Sequence, residues 1–129
     1  MQISPQAVHA TYQQAQIGSA GPLRIVVLLY EGALLFSRQA LEKFDEPAAR
    51  GHALGRAHRI VSELFAALDH EQGQEIAANL DALYGFLLNA LTQANIDGDR
   101  KALKGAIEVL AALLPAWRTI EARSPNEER

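Results

Sequence analysis

Apolar side chains recur along this chain at spacings of three and four, the period of one helix face, and four stretches carry the pattern. In the first, Ile25, Leu28, Leu29, Phe36 and Ala40 form one stripe, while Val26, Val27, Tyr30, Leu34 and Leu41 lie outside it. A helix that is apolar on more than one face calls for burial on more than one side. Leu54, Ala57, Val61, Leu64, Phe65 and Leu68 mark a second helix, and Ile76, Leu80, Leu83, Tyr84, Leu87, Leu88 and Leu91 a third. The fourth carries Leu103, Ile107, Leu110, Leu114 and Trp117 on one stripe, with Ala106, Val109, Leu113 and Ile120 on an adjacent one. Leu80 and Leu83 are both expected in the core.

Turn residues set the boundaries. Pro22 suits a first helical position because its missing amide hydrogen has no partner there, so helix one starts behind Gly21 and runs to about Phe44. Asp45-Glu46-Pro47 marks a reversal, with an acid placed to cap a helix that runs from about Ala48 to Asp69. At the next reversal Gly73 is expected to take the backbone conformation that other residues avoid, and Glu75 lies in the first turn of helix three, from about Gln74 to Ile96. Asp97-Gly98 offers a left-handed glycine cap, and Asp99 can cap helix four, where Pro115 predicts a kink near residues 111–114.

Short connections make successive helices antiparallel neighbours, so the fold class is all-α, an antiparallel four-helix bundle with a short N-terminal cap segment. One domain spans residues 1–129: an arm over 1–21, the bundle over 22–121 and a polar tail over 122–129. In the arm, Val8, Tyr12 and Ile17 are isolated among polar residues. It is either a disordered arm or a movable cap that docks Tyr12 and Ile17 onto the bundle.

Composition narrows the function. The 129 residues include no cysteine, which excludes disulfides and thiolate metal sites and fits a reducing cytoplasm. The first residues lack the basic and apolar regions of a signal peptide, and the apolar cluster from Ile25 to Tyr30 is too short to span a bilayer, so a soluble cytoplasmic protein without membrane insertion is expected. The formal charge of −3, with both signs interspersed, disfavours a nucleic-acid partner whose phosphates must be neutralised. His9, His52, His58 and His70 have no acid three residues before them, so neither a metal nor another cofactor is expected. Ser37 and Ser62 lack a recognisable base, and no glycine-rich phosphate loop follows a strand; the chain does not read as an enzyme. A histidine phosphotransfer-type signalling bundle, with His58 as acceptor, is one alternative. A purely structural, self-associating bundle is another. The surplus of apolar helix faces points instead to a module that binds a partner helix, although homodimerisation would use the same surface.

Tyr12-Gln13-Gln14-Ala15-Gln16, Leu29-Tyr30-Glu31-Gly32-Ala33, the stretch from Leu68 to Tyr84 and Gln93-Ala94-Asn95 together closely resemble the FliS family, the flagellin-specific export chaperones. The resemblance covers Tyr12 to Trp117. It implies a bundle that binds the disordered C-terminal segment of flagellin, blocks premature polymerisation and presents its cargo to the flagellar type III export gate. By the same resemblance Tyr12 and Ile17 are cap or contact residues, and Tyr30, Leu34, Tyr84, Leu88, Leu113 and Trp117 are candidates for the groove. Core packing is the plain alternative for Tyr84 and Trp117. The family usually has two glycines where this chain has Gly73-Gln74, and an aspartate where it has Gly85. His9 replaces an apolar cap residue, and Pro115 breaks a helix expected to run on.

Overall fold

Two prolines and two aspartates begin the helices of this protein. The computed structural model describes residues 21–123, which form α1 (Pro22–Glu42), α2 (Pro47–Ala66), α3 (His70–Ile96) and α4 (Arg100–Ala122). Pro22 and Pro47 each open a helix behind an extended residue, Gly21 and Glu46. Glu46 makes no capping hydrogen bond, so the acid expected to cap α2 leaves that work to the proline. The Asp69 carboxylate accepts from the Gln72 amide at 3.1 Å, and that of Asp99 from the Ala102 amide at 3.0 Å; each satisfies an amide that a first turn leaves without a partner. Gly98 closes the α3–α4 turn at φ 62°, the left-handed glycine expected there.

Cross-helix contacts fix the topology. Arg24 pairs with Glu121 at 3.5 Å, Glu31 with Arg118 at 2.9 Å and Asp45 with Arg100 at 2.8 Å, so α1 and α4 run antiparallel. On the other flank of α1, the Arg56 guanidinium lies 5.2 Å from the centre of the Phe36 ring. Each helix packs against the next and α4 returns to α1, a closed four-helix bundle. No strand occurs among the described residues. The core runs through all four helices, from Leu23, Val26 and Val27 to Leu54, Val61 and Leu64, Leu80 and Leu87, and Leu103 and Leu110. At one end the Phe44 ring sits between the guanidiniums of Arg50 and Arg100, 4.9 and 4.6 Å from its centre. Arg50 also donates to the carbonyls of Phe44 at 3.0 Å and Asn95 at 3.2 Å, tying the α1–α2 turn to the end of α3.

Three expectations change. The residue in the unusual conformation before α3 is Gln74, at φ 47° and ψ −115°, and not Gly73, which is buried. Residues 70–73 thus form a separate turn before the long part of the helix. Leu83 is half-buried beside the core, whereas Leu80 lies within it. Finally, α4 continues through Pro115 to Ala122. Pro115 faces solvent, where its ring meets no neighbouring helix, and the Thr119 hydroxyl donates to its carbonyl at 3.0 Å.

Candidate partner-binding groove

The largest side chains meet at the centre of the bundle. Tyr30, Tyr84 and Trp117, from α1, α3 and α4, are buried, with ring centres 6.3 Å apart for Tyr30–Tyr84 and 5.6 Å for Tyr30–Trp117. The two tyrosine hydroxyls share a hydrogen bond of 2.8 Å, which gives each oxygen a partner where water is excluded. Burial first, and the neighbouring Tyr84 second, push the Tyr30 hydroxyl well above its ordinary range. Leu34 is buried as well. These four groove candidates therefore build the floor of the bundle and present no surface to a partner. The physical reason is geometric: Tyr30 and Leu34 are one turn apart on the inward side of α1, Tyr30 against rings of α3 and α4, while the solvent side of α1 carries Leu28 and Leu35, 47% and 53% exposed. Leu88 and Leu113 are half-buried at the edge of the core. Tyr12 and Ile17 lie outside the described residues.

An open groove occurs between α3 and α4. A cleft of about 330 Å³ is lined by Phe86, Asn89, Ala90 and Gln93 from α3, and by Asp99, Lys101, Ala102 and Gly105 from the start of α4. Phe86 is 50% exposed, on a face it shares with Ala82, Asn89 and Gln93. Its apolar ring is thus held against water, which burial by a partner would reverse. Facing it, Ala102 and Gly105 leave the α4 wall low, and among the described residues a Cβ added to Gly105 would meet nothing within 4 Å. Val109, Ala112 and Ala116 continue that line at three-and-four spacing, so the small-residue stripe runs the length of α4. Leu113 borders it. Asn89 and Gln93 add donors and acceptors along the other wall.

Such a groove suits a helix: a low wall admits its backbone, an aromatic anchor takes its apolar face, and side-chain amides serve its edge. The signal was legible in principle, since Phe86 lies with Asn89 and Gln93 on one face of α3 and Ala102, Gly105, Val109, Ala112 and Ala116 share a face of α4. Small residues score weakly as an apolar stripe, so periodicity alone does not single them out.

Other candidate chemistry is sparse. His58 is half-buried beside a smaller cleft of about 160 Å³ between α2 and α3. His70 lies 3.6 Å from Asp81 on the surface. No group of three or more His, Asp or Glu among the described residues is placed to hold a metal ion, and no described helix is long and apolar enough to cross a membrane.

Comparison with known proteins agrees with this architecture. The family described as "Flagellar protein FliS" matches residues 4–124. The chain is 36% identical over 123 residues to the flagellar secretion chaperone FliS of Vibrio cholerae, covering 93% of this chain and 90% of that one. It is 34% identical over 119 residues to the flagellar secretion chaperone FliS of Salmonella typhimurium, covering 89% and 87%. With the flagellar secretion chaperone FliSB of Pseudomonas aeruginosa it shares 35% over 113 residues, 82% and 89% of the two chains. A match across all four helices, at identities of this size, establishes that the chain belongs to the FliS family of flagellar proteins.

Proposed function

We propose that this chain is a cytoplasmic export chaperone that binds the disordered C-terminal segment of flagellin, prevents its premature polymerisation and delivers it to the flagellar type III export apparatus. The observation that carries the reading is the apolar groove left open between α3 and α4 on a bundle whose core is already complete. Ordering a disordered segment costs several kcal/mol, and burial of each large apolar side chain contributes about 1.5 to 3 kcal/mol, so an extended apolar contact is what the task requires. Relatives named as flagellar secretion chaperones support the same partner class. Phe86, Gly105 and Leu113 are the contacts assigned to the groove. Leu88 is half-buried on the opposite flank of α3, toward α2, and is assigned as a separate contact there. Tyr12 and Ile17 are assigned to a cap that covers part of the surface when flagellin is absent.

Calorimetric titration with the C-terminal segment of the host flagellin, read with circular dichroism of the mixture, tests the proposal. Saturable binding with a gain of helix beyond the sum of the components is expected. A folded protein that shows neither contradicts it. Deleting residues 1–17 should alter the affinity while preserving the helix content of the bundle, and an unchanged affinity removes the cap assignment.

A further inference from the structure

The smaller cleft, between α2 and α3, joins three features that the bundle itself does not need. Buried Leu54 and Leu91 line it, and Ile96, 75% exposed, stands at its rim. Gly55 lies in the interior of α2, where glycine costs about 1 kcal/mol relative to alanine, yet a Cβ added to it would meet nothing within 4 Å. The fold gains nothing from the missing side chain, whereas a partner's backbone can come close there. The third feature is charge. From Pro47 to Ser62, α2 carries Arg50, His52, Arg56, His58 and Arg59 without an acid, and α3 holds no charged residue between Asp81 and Asp97. His58 lines the cleft, and His52, Arg56 and Arg59, at steps of four and three, share the exposed face of α2 beside it. Arg50 is committed to the carbonyls of Phe44 and Asn95, and Arg56 lies over the Phe36 ring. Among the described residues neither His52 nor Arg59 belongs to an ion pair. Acids stand only toward the ends: Glu46 is drawn to Lys43 and Asp81 to His70, while Glu63 follows one turn after Arg59 and Asp97 comes directly after Ile96.

We propose that this cleft docks an acidic amphipathic helix of a second protein, with an aliphatic side chain against Leu54, Leu91 and Ile96, its backbone over Gly55 and its acids toward His52 and Arg59. From His52 to Arg59 the basic face is about 10 Å long at 1.5 Å per residue, the length of two turns of such a helix. The formal charge of −3 on the whole chain disfavours a long polyanion, whose charge runs past the patch, while a short acidic helix meets the patch alone within a screening length of about 8 to 10 Å. The lining includes neither Leu88 nor any residue of the α3–α4 groove, so the cargo and the second partner can be held at the same time.

The probes are two synthetic amphipathic peptides with the same leucine spacing, one bearing glutamates between the leucines and the other lysines. Titrated into the isotope-labelled protein, the glutamate peptide should shift the backbone amides of Gly55, His58, Thr92 and Ile96 saturably, and the lysine peptide should bind at least about tenfold more weakly at low ionic strength. Arg59→Glu, an exposed substitution, should weaken the glutamate peptide about threefold to tenfold, an effect that shrinks as salt is raised, and Arg59→Lys should retain the binding. No shift from either peptide, equal binding of the two, an unchanged affinity in Arg59→Glu, or shifts confined to the groove of Phe86 and Gly105 each overturn the proposal. The C-terminal segment of flagellin is titrated in parallel. Shifts of the same cleft amides at its saturation assign the cleft to the cargo and overturn the second partner.

Discussion

Gln74 holds a backbone conformation that glycine adopts freely and that a side chain resists, φ 47° with ψ −115°. Residues kept in such sparsely populated regions cost about 1–3 kcal/mol. The resemblance to FliS proteins places a second glycine at this position, and the structure supplies the reason. Gln74→Gly is therefore expected to stabilise the protein by roughly 1 kcal/mol once the freer unfolded chain is counted. A lower urea midpoint for the variant would show that Gln74 is not strained. The buried tyrosine pair makes a second prediction. Because the Tyr30 hydroxyl is raised by burial, the unfolded chain gives up this proton first as pH climbs. Its stabilising contribution is whole below about pH 10, the unfolded value, and is lost as pH rises above it toward the folded value. Urea midpoints measured from pH 8 to 11 should fall at the alkaline end. The fall should be smaller in the Tyr30→Phe, Tyr84→Phe double variant, and an equal fall in both proteins would remove the pair as its cause.

At the scale of helices, α4 tests what a proline costs when nothing yields to it. Pro115 denies the Ala111 carbonyl its usual amide partner, yet the helix runs on to Ala122. Pro115→Ala should restore that bond and stabilise the fold by about 1 to 3 kcal/mol, visible as a higher urea midpoint. No gain would mean the carbonyl is already satisfied. Four helices and their turns were readable in the sequence because proline, glycine and the capping aspartates act locally, within a turn of where they stand. The positions at Leu83 and Tyr30 were not, since burial depends on how each helix is rotated against its neighbours. A stripe of apolar residues on α1 and another beside it both fit periodicity, and only packing decides that Leu28 and Leu35 face water while Tyr30 and Leu34 face inward.

For the molecule as a whole, the bundle and the groove have separate foundations. The aromatic trio of Tyr30, Tyr84 and Trp117 and the leucines around it complete the core without help. The exposed ring of Phe86 and the low wall at Gly105 contribute little to folding. Under the proposed function the bundle is folded before its cargo arrives, and this division would let the groove vary without loss of the scaffold. Gly105→Trp exploits it, because the added side chain enters open space in the groove and glycine is a poor helix residue to begin with. The measurement that bears most directly on the account is the affinity of this variant for the C-terminal flagellin segment, compared with the wild type by calorimetry and with both thermal transitions recorded. The account predicts an undiminished melting temperature and binding weakened at least about tenfold, the loss of some 1.4 kcal/mol. Equal affinity in a folded variant would contradict it.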